Sequence, residues 1–96
     1  MYCVTAHYLT EPDNAPAVAE ALVALARATR TEEGNVAYDV ARSLEDEGHF
    51  VIVEAYLTEA DFTAHRESPH FAEIGVARIL PLLRERRVVA GEARAL

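Results

Sequence analysis

A single cysteine, Cys3, stands in a chain of 96 residues. One thiol can form neither an internal disulfide nor a paired zinc site, so nothing marks an oxidising compartment. Tryptophan is absent, and glycine is present only four times. The glycines are scattered, leaving no Gly-rich phosphate loop, and there is no nucleophile elbow. No stretch approaches the ~20 apolar residues that a membrane helix needs. Met1 leads directly into Tyr2-Cys3-Val4-Thr5-Ala6, without the basic start of a secretory leader. Positive charge is scarce as well: the net charge is −7. A nucleic-acid surface needs a basic stripe, and none is present. The one dense run, Arg84-Glu85-Arg86-Arg87, is broken by a glutamate and reads as a solvated helix end. These absences point to a cytoplasmic protein with neither nucleic-acid nor membrane partners.

What is there is an ordinary globular balance, 51% hydrophobic and 26% charged residues. The length suits one domain spanning residues 1–96, its last few residues a loose tail. A domain of this size buries only about 60% of its unfolded surface and is marginal alone. Association that covers another apolar face would stabilise it.

Tyr2 to Thr10 is rich in Tyr, Val, Thr and Leu and stops at the turn cluster Glu11-Pro12-Asp13-Asn14, which predicts a first strand. Asp13 or Asn14 can cap a helix with Pro16 in its first turn. Val18, Leu22, Leu25 and Thr29, with Ala21 and Ala26 beside them, form one apolar stripe at helical spacing. Gly34 closes this unit and is expected in a left-handed conformation. Residues 35–43 and 50–56 read as two strands around the polar turn Glu45-Asp46-Glu47-Gly48. Thr58 and Asp61 make a capping-box pair for a short helix. Ser68-Pro69 opens another, with Phe71, Ile74, Ile79, Leu80 and Leu83 on its apolar side. Arg87 to Ala90 is the last strand. The order is β-α-β-β-α-β with the second helix in two pieces: an α+β, ferredoxin-like pattern. The run Phe50-Val51-Ile52-Val53-Glu54-Ala55-Tyr56 is apolar on almost every position, so both sheet faces need cover. Helices can cover one face; the sheet of a second copy is the simplest cover for the other.

The residues left for chemistry are His, Tyr and Glu. Alternation places Glu54 and Tyr56 on one face of the third strand, and Cys3, Thr5, His7 and Leu9 on one face of the first. Phe62 and His65 are three apart and project together from the short helix. Glu54 and Tyr56 pointing towards the helices would enclose a pocket with His65. An imidazole titrates near neutrality, which makes His65 the candidate acid/base, against the alternative of a packed, hydrogen-bonded histidine. His7 is a ligand contact or a satisfied core group, His70 a structural residue holding the preceding loop, and His49 a solvated one. Glu54 either orients His65 or bonds to backbone. Tyr38 and Tyr56 either stack on a ligand or pack in the core. A metal site from His7, His65 and Glu54 would need three separate elements to converge and is the weaker reading.

Three segments, Glu33 to Val40, Phe50 to Tyr56 and His65 to Phe71, together resemble the antibiotic biosynthesis monooxygenase domain family over nearly the whole chain. The resemblance implies a dimeric α+β barrel, two ferredoxin-like sheets packed face to face. Similar members oxidise quinols or polycyclic phenols without flavin, haem or metal, the deprotonated substrate itself reducing molecular oxygen. On that footing His65 is base or proton shuttle and Glu54 orients it. His7, Tyr56, Tyr38, Phe62 and Phe71 contact the substrate, and no cofactor or metal is expected. The haem-degrading branch uses an asparagine, a tryptophan and an iron-binding histidine where this chain has His7, Tyr56 and Gly75. Glycine cannot ligate iron, so haem degradation is excluded. Glu32-Glu33-Gly34-Asn35, Asp39-Val40, Glu54-Ala55-Tyr56, His65 and Pro69-His70 are also similar to isomerases of phosphorylated autoinducer-2. That alternative would use His65 and Glu54 for proton transfer and Arg42 or Arg66 for phosphate. A non-catalytic small-molecule-binding dimer is the third reading.

Overall fold

The computed structural model describes residues 1–93. Four strands, β1 (Tyr2–Thr10), β2 (Asn35–Arg42), β3 (His49–Tyr56) and β4 (Leu83–Glu92), form one antiparallel sheet in the order β2-β3-β1-β4. Helix α1 (Ala15–Thr29) links β1 to β2, and α2 (Glu59–Arg66) with a π-helix (Phe71–Ile79) links β3 to β4. This is the expected ferredoxin-like topology with its second helix divided. The last strand begins earlier than its sequence suggests, so Arg84 to Arg87 lie on a strand rather than at a helix end. Most of the expected loose tail lies outside the described residues.

The α1 stripe buries as its spacing demands. Val18, Leu22 and Leu25 have no exposed surface, and Ala21 and Ala26 let the helix approach the sheet closely. Each buried aliphatic side chain contributes roughly 1.5–3 kcal/mol. Inward residues of the sheet, Ala6, Tyr8, Tyr38, Phe50 and Ile52, complete this core with Ile79 from the π-helix. Asn14 occupies the cap position of α1 but its side chain accepts no capping hydrogen bond; a short 3₁₀ turn, Pro12–Asn14, leads into the helix instead. The expected capping box is present: Thr58 Oγ1 accepts from the Asp61 N–H, and the Asp61 carboxylate accepts from the Thr58 N–H.

Gly34 is not left-handed; none of the described glycines has positive φ. Its missing side chain is required by contact, because a Cβ there would sit 2.2 Å from Asp61 Cγ. The loop after α1 therefore presses against the first turn of α2. Among the described residues no helix covers the opposite face of the sheet, which carries Val53, 49% exposed, and Val89, 65% exposed, beside half-buried Cys3, Val51 and Ala55.

Candidate active site

Four neighbouring constraints place the titratable groups. On β3, alternation turns Phe50, Ile52, Glu54 and Tyr56 inward, as expected. The capped α2 lies over this end of the strand and directs Phe62 and His65 at it. The close approach at Gly34 holds Glu32, two residues earlier, beneath α2. Ser68 Oγ accepts from the Phe71 N–H and starts the π-helix, which brings His70 to the same carboxylate.

The outcome is a row of polar groups through a largely apolar region. One oxygen of Glu32, Oε2, accepts from Nδ1 of His65 at 2.8 Å and from Nε2 of His70 at 2.5 Å. The other ring nitrogen of His65, Nε2, lies 3.7 Å from Glu54 Oε1. The Tyr56 hydroxyl donates to that same Glu54 oxygen at 2.6 Å. His65 is 2% exposed and Glu54 6%, so burial governs both titrations. Burial pushes the Glu54 carboxyl up to about 7, against the Tyr56 hydrogen bond, and the nearby Glu32 charge pushes the same way. Burial lowers the His65 pKa, while its bond to Glu32 and that residue's charge oppose the shift. Tyr56 and Tyr38 are both raised, mainly by burial and then by Glu54, so both remain neutral phenols. Near neutral pH the partners assign His65 its tautomer: Nδ1–H is committed to Glu32, and the Nε2 lone pair is available.

Beside this row lies a cavity of about 280 Å³ between β1, β4 and α2. Its walls include Tyr2, Tyr8, Tyr38, Glu54, Phe62, His65 and Phe71. Of the residues expected to meet a substrate, Tyr38, Phe62 and Phe71 line the cavity with His65 and Glu54. Tyr56 does not: it is wholly buried and supports Glu54 from behind. His7 does not join the site at all. The inward face of β1 is Val4, Ala6, Tyr8 and Thr10, which turns His7 to the other side of the sheet. There its Nδ1 bonds Nε2 of His49 at 2.9 Å, so His49 is half-buried and paired rather than solvated. The His7–His65–Glu54 triad consequently does not assemble. His70, expected to hold the preceding loop, bonds the Glu32 carboxylate instead.

Glu54 also does not orient His65 by a direct hydrogen bond. Glu32 does, and reasoning on strand faces missed it because Glu32 lies in a turn. The only pointer was its place in the Glu32-Glu33-Gly34-Asn35 string. Arg86 was missed for a different reason. Read as part of a helix end it faces water, but on β4 it pairs with Tyr8 and alternates inward with Val88 and Ala90. Arg66 joins it on the cavity wall, whereas Arg42 stacks over Phe50 elsewhere. The Gly75 position has its own use: a Cβ there would lie 3.2 Å from the Phe71 ring, which crosses the π-helix at this point.

The chain is thus a small ferredoxin-like α+β protein with a buried carboxylate–imidazole cluster beside an aromatic cavity. Comparison with known proteins narrows this. The model of the family described as antibiotic biosynthesis monooxygenase matches residues 1–75, and the chain belongs to that family. YcnE of Bacillus subtilis (strain 168), named as a candidate monooxygenase, is 30% identical over 71 residues, covering 74% of this chain and 75% of its own. Rv0793 of Mycobacterium tuberculosis (strain ATCC 25618 / H37Rv), named likewise, is 35% identical over 68 residues, covering 71% and 66%. The solved structure of Rv0793 superposes with a TM-score of 0.89 over 99% of this chain and 96% of that one, at 28% identity. A structure titled as an antibiotic biosynthesis monooxygenase gives 0.92 over 99% and 100%, at 29% identity.

Proposed function

We propose that the protein is a cofactor-independent monooxygenase of a quinol or polycyclic phenol, acting as a cytoplasmic homodimer with one pocket per chain. The observation that carries this is the Glu32–His65–Glu54–Tyr56 cluster opening on an aromatic cavity. The substrate itself is the reductant. His65 Nε2 accepts the phenolic proton, and the phenolate gives electrons to dioxygen. For an anthrol, one oxygen atom becomes the new carbonyl of the quinone. The other leaves as water with the two hydrogens the substrate loses. Burial favours this use of the pocket, because a dry cavity strengthens the hydrogen bonds that hold the phenolate.

The test is oxygen uptake by the purified protein, treated with chelator, against hydroquinones and anthrols. Protein-dependent uptake with one atom of labelled dioxygen recovered in the quinone supports the reading; no uptake across the panel, or uptake that yields only unlabelled quinone and hydrogen peroxide, rejects it.

A second reading, isomerisation of a phosphorylated dione, is favoured by one observation. Among the described residues, Arg66 and Arg86 face the cavity without a carboxylate ion-pair partner. Turnover of such a substrate without oxygen consumption would select it.

The homodimer rests on the open face around Val53 and Val89. Exposed apolar patches of this kind mark association surfaces. Sedimentation is expected to give twice the chain mass, and Val53→Glu to weaken the dimer at least tenfold, about 1.4 kcal/mol. A monomeric wild type, or a variant as tightly paired, would refute this arrangement.

A further inference from the structure

His65 forms a wall between two cavities. It lines the aromatic pocket together with Glu54, which lies near its Nε2, and a separate cavity of about 320 Å³ together with Glu32, which bonds its Nδ1, and Glu33, Gly34 and Asp61. On that second side, one atom from each of Glu32, His65 and His70 lies within 4.8 Å of the others. Two imidazoles and a carboxylate are the donor set of zinc and related divalent transition metals.

We propose that Glu32, His65 and His70 form a site for one divalent transition-metal ion of the zinc class, entered from the Glu32–Asp61 side. Both imidazole nitrogens already converge on a single carboxylate oxygen, His65 Nδ1 at 2.8 Å and His70 Nε2 at 2.5 Å. Metal–ligand bonds of about 2.1 Å in a tetrahedron separate donor atoms by roughly 3.4 Å. The two nitrogen–oxygen separations need widen by less than an ångström, and Glu32 and His70, both partly exposed, have room to adjust. No net proton is released when both rings are neutral. The hydrogen on His65 Nδ1 moves to Nε2, and that on His70 Nε2 moves to Nδ1.

The surroundings suit an ion. Ligating histidines characteristically give their second N–H to a carboxylate, and Glu54 Oε1 stands 3.7 Å from His65 Nε2. Glu33 and Asp61 add negative charge to the entry cavity. The net charge of the chain, −7, also favours a cation. An ion on Nδ1 leaves Nε2 carrying the hydrogen, so His65 becomes a donor towards the aromatic pocket. The site and the proposed proton abstraction would then be mutually exclusive. Metal occupancy is measured without turnover, so its failure and the failure of the oxygenase reading are separable.

The experiment titrates chelator-stripped protein with Zn²⁺ in competition with a chromophoric chelator. One ion per chain is expected, with affinity falling at least tenfold in Glu32→Gln and in His70→Ala. His49→Ala, which removes a member of the other histidine pair, should leave the affinity unchanged. Circular dichroism of each variant checks that the fold persists; Glu32→Gln keeps side-chain shape and guards against misreading a fold defect. Absence of competition overturns the proposal. So does binding that survives both Glu32→Gln and His70→Ala, or that disappears in His49→Ala.

Discussion

His65→Ala is expected to lower kcat/KM for oxygen-dependent turnover by about 10²–10⁴-fold, the usual worth of a positioned general base. The argument is geometric before it is electrostatic. His65 is the residue that touches both the aromatic cavity and the Glu32 carboxylate. Its Nδ1–H is committed to Glu32, so the unprotonated Nε2 faces the substrate. Truncation also removes a buried ring packed against Tyr56 and Phe71. Some loss of stability is expected, and His65→Gln, which fills more of the space, separates packing from chemistry. Both variants should lose turnover, and the glutamine should retain more of the melting temperature. Glu32→Gln acts through the imidazole rather than on the substrate. It should lower kcat more than it raises KM and shift the pH dependence of kcat. Turnover within threefold of wild type in His65→Ala would assign the proton to another group.

The extent to which this site could be read in advance follows from how local each signal is. The β-α-β-β-α-β order was legible because apolar spacing, caps and turns act over a few residues. The α1 stripe, the Thr58–Asp61 box and the inward set Phe50, Ile52, Glu54 and Tyr56 all appear as the pattern requires. His7 was not legible, because period-two alternation says which residues share a face but not which face meets the helices. With β1 also apolar at Val4, Ala6 and Tyr8, the wrong face looked equally good. Glu32 escaped for a related reason: its role depends on the approach of two loops, enforced by Gly34 against Asp61. The π-helix was hidden too, since Phe71, Ile74 and Ile79 have spacings that an α-helix also accommodates. Arg86 became visible only when β4 extended back to Leu83 and moved it from a helix end to a strand.

In the metal-free protein, Glu54→Gln is expected to gain stability relative to wild type by about 2 to 3 kcal/mol on going from pH 5 to pH 8. Burial raises the folded Glu54 pKa to about 7, against about 4.5 unfolded. Below about 4.5 the carboxyl is protonated in both states and the wild type has its full stability. Between about 4.5 and 7 the unfolded chain releases the proton while the folded chain keeps it, so wild-type stability falls as pH rises. Above about 7 the folded chain must hold a buried carboxylate to which, among the described residues, the Tyr56 hydroxyl alone donates, and the loss is complete. Glutamine cannot ionise and still accepts from Tyr56, so its difference from wild type isolates this titration. His65 has the opposite sign. Its lowered pKa costs stability as pH falls below about 6.5, where the unfolded imidazole takes up a proton that the folded one resists. Urea unfolding of both proteins at pH 5 and pH 8 reads the difference directly. A gap that stays constant would mean that Glu54 is ionised throughout, and a role for its carboxyl as a proton carrier near neutral pH would have to be abandoned. A gap that widens with pH would instead place a carboxyl titrating near neutrality within 4 Å of the proposed base. It would then follow that the pocket can hold or release a second proton during turnover, and Tyr56→Phe, by removing the bond that favours the carboxylate, should move that limb to higher pH.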